Sequence, residues 1–400
     1  VTTGTPTDGA DAVEHAVAYL DHASTTPMHP QVLEAMTPWL TSRYGNASGM
    51  HSMSRSARRA IDDARELVAA ALGGSPGEVV FTSGGTEADN LAVTGALTAA
   101  AGDGIEDGLV ACTAVEHPAV LEPVRAARGT ILPVDGDGLV DLPELETWLA
   151  EHWDRAVEVS VMLVNNETGL VEPVAEVARS VKLFAPRALV HTDAVQAVSW
   201  LDVAVLAEEA DLVSVSAHKF GGPKGVGALL VRSPARARLR PVLRGGPQER
   251  DLRAGTQDVA GIVGMGEAAR LAGAGREAAC ERVGVLADRL IAGITASVEG
   301  CVEAVGSSLR IGAVCNLGFD GLQAEELLIV LDQLGVCASA GSACASGALE
   351  PSHVLLAMGK SAEQARSHVR YSLGTTTTSA EVDRAIAATI EAVGRLRRPA

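Results

Sequence analysis

The sequence predicts an α/β fold: a parallel sheet with helices on both faces, followed by a smaller α+β unit. Three observations carry this. From about residue 51 to 235, helix-like and strand-like patterns alternate. The strand-like runs are β-branched and almost continuously apolar, which suits strands covered on both sides. Beyond about residue 270 the texture changes to a long Ala/Glu/Arg helix, shorter strands and one last helix.

Taken in order, the opening "VTTGTPTDGADAVEHAV" is acidic and polar and reads as a flexible tail. It lacks the basic start and apolar centre of a signal peptide. "HSMSRSARRAIDDARELVAAAL" places Met53, Ala57, Ile61, Ala64, Val68 and Leu72 on one helical face. "EVVFTS" is the first strand of the sheet and ends in "GGTEADN", where another helix begins. "LVACTAV", "VSVMLVN", "ALVHTD", "DLVSVSA" and "GALLV" are the further strands. The long helix "REAACERVGVLADRLIAGITASV" opens the second unit. A strand near "AVCNLGF", a cysteine-bearing loop and a helix from "SAEVDRAI" complete it.

Four hundred residues exceed one simple core and point to two domains. With 47% hydrophobic and 20% charged residues the chain is globular. Aromatics are only 3%, so Ala, Val and Leu must build the interior. The 32 Lys and Arg against 50 Asp and Glu give a net charge of −18, which argues against a general nucleic-acid binder. No apolar run reaches membrane-spanning length. The six cysteines are scattered, without a CxxC pair or a Cys/His cluster of zinc spacing. Neither a disulfide scaffold nor a metal is expected, and the reducing cytoplasm is the expected compartment.

In an open parallel sheet, ligands gather beyond the carboxyl ends of the strands. The polar residues there are Thr82 to Thr86, Glu116–His117, Asn165–Asn166–Glu167, Asp193 with Gln196, and Ser216 to Lys219. "SGGTEADN" sets glycines and a hydroxyl at a helix start, where free N–H groups favour a phosphate. A plain helix cap accounts for the same residues. Asp193 ends an apolar strand, so it can cap the next helix or pair with a cationic ring nitrogen. Lys219 directly follows a strand, where desolvation makes an amine nucleophilic. Lys224, between Pro and Gly, reads as a solvated loop charge. His117 can stack on a ring, move protons or be a hydrogen-bonded loop histidine. A phosphate, a ring nitrogen wanting a carboxylate and an aldehyde wanting an amine together describe pyridoxal 5′-phosphate.

The stretch "CASAGSACASGALEPSH" surrounds Cys344 with residues that have almost no side chain. A packed structural cysteine has bulkier neighbours. Cys337, ending "LDQLGVC", and Cys112, in "LVACTAV", read instead as small core residues.

A series of stretches carries a family resemblance: "YLDHASTTP", "YGNAS", "FTSGGTEADNLA", "VEHPAVL", "VNNETG", "HTDAVQ", "SAHKFGGPKGVGAL", "RAGTQDV", "GSACASGALEPSHVL" and "VRYSLG". In this order they resemble the cysteine desulfurases, fold-type I pyridoxal phosphate enzymes related to class V aminotransferases. The likeness runs from about residue 19 to the last helix. It implies a large domain over residues 19–270 on a mainly parallel seven-stranded sheet, and a small α+β domain over 271–400 carrying the cysteine loop. Residues 1–18 have no counterpart, and the first residues after them are expected to pack on the small domain.

The resemblance also implies roles. Lys219 would hold the cofactor through its amine, and Asp193 would face the ring nitrogen. Gln196 and Asn166 would serve the ring hydroxyl or the substrate, and His117 would stack on the ring. Thr86, Ser216 and His218, with the Gly85 backbone, would hold the phosphate. Thr256 would reach the phosphate of a partner subunit in a homodimer. Asn46 and Arg370 would bind the carboxylate of L-cysteine, for which the planar guanidinium is suited. Cys344 would attack the substrate sulfur, leaving alanine and a persulfide for an iron–sulfur scaffold or another sulfur acceptor. Its loop, expected to be mobile, resembles the longer of the family's two loop types. "HAST", Ala47 and "SLGTTTT" depart from the family pattern, none of them in the catalytic set. Other readings are a related C–S or selenocysteine lyase, and a cofactor-binding regulator of sulfur transfer that has lost catalysis.

Overall fold

The computed structural model describes residues 17–341 and 350–398. Most of the expected tail, and the segment 342–349 with Cys344 and its expected mobility, lie outside the described residues.

Seven strands form the main sheet: β2 (Val79–Thr82), β3 (Leu109–Thr113), β4 (Thr130–Leu132), β5 (Ala156–Ser160), β6 (Leu189–Asp193), β7 (Leu212–Ser216) and β8 (Gly227–Val231). Their spatial order is β2-β8-β7-β6-β5-β3-β4. The pairs from β7 to β4 are parallel, and β8 runs antiparallel to both β7 and β2. The sheet is therefore mainly parallel, as expected. Its apolar runs alternate between two covered faces. Val159, Val190, Val213 and Val215 join one core cluster, while Val80, Val110, Leu189 and Leu212 join the other beneath helices Gly85–Gly102 and Pro118–Ala126. Each such burial contributes about 1.5–3 kcal/mol.

That second face is not wholly apolar. Glu158, Ser160, His191 and Ser214 are all buried there between the Val and Leu positions.

A second sheet is antiparallel, with β9 (Cys301–Glu303), β10 (Val314–Phe319) and β12 (His368–Ser372) in the order β12-β10-β9. A short parallel pair joins β1 (Ala18–Tyr19) to β11 (Val336–Cys337), and Asp21 forms a bridge with Ser372. The first described residues thus pack on the C-terminal strands. Helix Val259–Thr295 runs beneath both parts and begins well before the stretch that suggested it.

Three local expectations need correction. The strand anticipated at "VSVMLVN" lies earlier, at Ala156–Ser160, and the apolar residues Val161 to Val164 continue as buried loop. Edge strand β4 was not anticipated. Cys337 is only half-buried, because its two-stranded ribbon is covered on one side, whereas Cys112 is buried in β3 as expected. Among the described residues no helix is long and apolar enough to cross a membrane.

Candidate active site

Parallel strands point their carboxyl ends the same way, so the segments leaving β3, β5, β6 and β7 meet at one edge of the sheet. The turn after β2 joins them. Gly227 of β8 passes so close that a Cβ there would stand 2.6 Å from the Gly84 carbonyl carbon. The turn can therefore sit directly over the sheet.

A cavity of about 380 Å³ occupies this edge and is lined by ten of the expected residues: Gly85, Thr86, His117, Asn166, Asp193, Gln196, Ser216, His218, Lys219 and Arg370. Two others lie elsewhere. Asn46 is exposed, its Oδ1 accepting from the Ser48 N–H, and Thr256 is exposed on a loop outside this chain's cavity.

Asp193 caps the turn after β6, its Oδ1 accepting from the Val195 N–H at 2.8 Å. Burial raises its pKa, and the nearby His117 and Lys219 oppose that shift. His117 is the N-cap of helix Pro118–Ala126, and its Nδ1 accepts from the Ala119 N–H at 3.1 Å. A neutral ring held this way carries its proton on Nε2. Burial lowers the His117 pKa, which favours that neutral ring. His218 is pushed down to about 4, first by burial and then by Lys219. The Lys219 Nζ donates to the Ala23 carbonyl and, at 3.0 Å, to the Ser24 carbonyl. Gln196 Nε2 donates to the same Ala23 oxygen at 2.8 Å.

Arg370 arrives from the other sheet, in β12. Its Nη1 donates to the Asn166 carbonyl, and its Nη2 donates to Asp21 Oδ1 and Ser24 Oγ, each at 2.8 Å. Its Nε is buried without a partner among the described residues. Such a donor wants an acceptor that the described residues do not supply.

The segment bearing Cys344 is not described, but both its flanks converge on Glu167. Gly341 turns with φ +80°, and a Cβ there would stand 2.8 Å from Glu167 Oε2. Ser352 Oγ donates to that same oxygen at 2.5 Å. Neither Glu167 nor Asp21, nor the carbonyls of residues 23 and 24, was assigned from the sequence. Asp89, in the quoted "GGTEADN", also lines the cavity. Its signal was the second of two acids, after Glu87, at the start of a small-residue helix.

Comparison with known proteins follows this geometry. The sequence model of the class-V aminotransferases matches residues 18–385. An IscS-like cysteine desulfurase of Mycobacterium tuberculosis is 44% identical over 391 residues, covering 96% of this chain and 98% of that protein. A cysteine desulfurase of Trichormus azollae is 43% identical over 387 residues, covering 96% and 94%. A solved NifS-like protein superposes with a TM-score of 0.87 at 32% identity, covering 95% of this chain and all of that one.

Proposed function

This chain belongs to the class-V aminotransferase family and is a pyridoxal phosphate-dependent enzyme of the cysteine desulfurase kind; we propose that it converts L-cysteine to L-alanine and keeps the sulfur as a persulfide on Cys344. One observation carries the reading: Lys219, Asp193, His117 and Arg370, from separate segments, line one cavity.

The described residues fit the cofactor. The start of helix Gly85–Gly102 offers free N–H groups, and a Cβ on Gly85 would stand 2.8 Å from Val195 Cγ2, so that turn must stay bare. Asp193 supplies a buried carboxyl and Arg370 an Nε–H without a partner among the described residues. Lys219 would attach the cofactor through its amine, Asp193 would hold the ring nitrogen, and His117 the ring. Asn166 and Gln196 would serve the ring hydroxyl or the substrate. Thr86, Ser216, His218 and the Gly85 backbone would take the phosphate. Bound there, pyridoxal phosphate supplies an electron sink for charge developing on the substrate carbon.

The protein's own part is holding and proton movement. The Ala23 and Ser24 carbonyls position the Lys219 amine beside the cavity. His117 gives or takes a proton at Nε2, since its Nδ1 is engaged by the backbone. Arg370 and Asn46 would bind the carboxylate. The Cys344 thiolate attacks the substrate sulfur. A bond from Cys344 to that sulfur forms as the substrate C–S bond breaks, and the carbon keeps the electron pair and takes a proton to become the methyl of alanine.

We read the working unit as a homodimer in which Thr256 serves the partner's phosphate. The exposed position of Thr256, outside its own chain's cavity, supports this. The large unit over 19–270, the small unit over 271–400, a cytoplasmic location and a protein acceptor in iron–sulfur assembly or thiolation belong to the same reading.

Borohydride reduction should fix the cofactor to Lys219, and a label on Lys224 would overturn that assignment. Incubation with L-cysteine should add one sulfur to the Cys344 peptide. Cys344→Ser should keep the cofactor and stop alanine and sulfide release, because a hydroxyl at neutral pH is a far poorer nucleophile. Alanine at the normal rate from that variant would exclude the persulfide route.

A further inference from the structure

The loop that carries Thr256 is held by a buried carboxylate. Glu249 is 4% exposed, and its two oxygens receive donors from three other parts of the chain. Arg65, on helix Ser52–Leu72, donates to both, from Nη1 at 2.8 Å and from Nη2 at 2.9 Å. The Phe81 N–H of β2 donates to Oε2 at 2.8 Å. The Gln257 amide, one residue beyond Thr256, donates to Oε1. Arg65 is itself fixed, because its Nη1 also donates to the Val79 carbonyl at 2.8 Å and its guanidinium lies 4.6 Å from the centre of the Phe81 ring. The proposed reaction uses none of these groups. An apolar pair of similar volume often stabilises a fold as well as a buried ion pair, so stability alone does not account for this one.

The backbone at this clamp is strained. Glu249, Arg250 and Asp251 have φ of +38°, +60° and +65°, three successive residues in the left-handed region and none of them glycine. Each such residue costs free energy, and a run of them persists only where the surroundings over-determine it. Here Arg250 Nη2 donates to the Pro76 carbonyl at 3.0 Å, and Arg236 Nη2 donates to the Arg250 carbonyl at 2.6 Å. The turn leaves Glu249 buried and Asp251 exposed. Further contacts fix the chain beyond it. Gln248 Oε1 accepts from the Gly255 N–H at 3.0 Å, and Arg253 Nε donates to Glu87 Oε1 at 2.9 Å. Asp258 caps helix Val259–Thr295, accepting from the Gly261 N–H at 3.0 Å. Thr256 is therefore exposed between two tied neighbours, Gly255 held by Gln248 and Gln257 held by Glu249.

We infer that Glu249 and Gln257 are positioning residues: through their contact and the strained turn they hold Thr256 where its hydroxyl meets the cofactor phosphate of the partner subunit. The inference rests on the reading of Thr256 given above. A donor held in place beforehand avoids the ordering cost that a free loop would meet on binding, so the effect falls on affinity. It falls on the other subunit's site. That separates positioning from a general loss of stability, which would weaken a chain's own site as well.

The test uses hybrid dimers of two differently tagged chains, one keeping Lys219 and the other Lys219→Ala, so that borohydride can fix the cofactor in one subunit only. The fixed fraction is followed against free pyridoxal phosphate. Gln257→Ala is the variant to use, because it releases the residue beside Thr256 and leaves the Arg65–Glu249 pair and the Phe81 contact in place. In the Lys219→Ala chain it should weaken loading of the other subunit about tenfold, the order of one hydrogen bond to a charged group. In the loading chain itself it should change loading by less than about twofold, because that chain's Thr256 serves the other site. Thr256→Val in the Lys219→Ala chain is the control and should weaken loading at least as much as Gln257→Ala does there. A control without effect would overturn the reading of Thr256, and the inference with it. A control that weakens loading beside a Gln257→Ala that does not would leave that reading standing and overturn the inference alone. Equal weakening from both placements of Gln257→Ala would show a purely structural role and sink the proposal.

Discussion

The two halves of the site are built in different ways. Asp193 stands at the carboxyl end of a parallel strand, and its nearest fixed partner is the N–H two residues on. Arg370 stands inside a strand of the other sheet, only 2% exposed, and is held by Asp21, Ser24 and Asn166 from far along the chain. The first half is local and rigid by topology. The second is a junction that exists only when three distant segments are in place. On the proposed roles, a carboxylate for a ring needs one fixed point, whereas a fork for a substrate has to be assembled between two sheets.

Removing the fixed point should have the largest effect. Asp193→Ala should leave the fold intact and cut turnover by about 10²–10³, the usual cost of losing one preorganised electrostatic partner. Steady-state kinetics with L-cysteine would check this, and turnover within tenfold of normal would remove the contrast. Arg370→Lys comes next, because it keeps the charge but loses the fork. It should raise KM at least tenfold and also cost about 3 kcal/mol of stability, since the Arg370–Asp21 pair is largely buried. Denaturant unfolding separates the two effects. A KM change without a stability loss would mean that Arg370 is not a junction.

The third prediction uses pH. Burial pushes Glu158 up to about 8 from its ordinary 4.5, so the folded protein binds a proton there that the unfolded chain has lost. Stability therefore falls as pH rises from about 4.5 to 8. His191, pushed down to about 3 from 6.5, does the opposite, and stability rises with pH across that lower window. Glu158→Gln should flatten the alkaline side, gaining on the order of 2 kcal/mol at pH 8 relative to pH 5. Thermal melts at the two pH values measure it, and an unchanged slope would place the proton elsewhere. The smallest effect contrasts two thiols. Cys112→Ser buries a hydroxyl in an apolar site and should cost about 1–3 kcal/mol, while Cys337→Ser, in a half-buried ribbon, should cost less than about 1.

The same contrast explains what could be read in advance. Thr86, His117, Asp193 and Lys219 follow apolar runs directly, so a strand pattern plus the strand-end rule locates them. Strand β4 has only three residues, too short for any periodic signal, and β5 carries Glu158 in its middle, which breaks the apolar run that marks a covered strand. The expected strand consequently slid forward onto "VSVMLVN". The contacts of Asp21 with Arg370 and of Ser352 with Glu167 span 349 and 185 residues, and nothing local encodes them. The Ala23 carbonyl that holds both Lys219 and Gln196 is backbone, and residue type does not announce it.

The pairing of β1 with β11, together with the Asp21–Arg370 contact, has a consequence for biosynthesis. A chain emerging from the ribosome presents Asp21 early and Arg370 almost last. The main sheet, complete by Val231, can form while synthesis continues. The proposed anchoring point for the substrate cannot. A prematurely terminated chain would hold a nearly finished floor with no arginine above it, so fragments released by stalled translation would lack the proposed grip on the cysteine carboxylate.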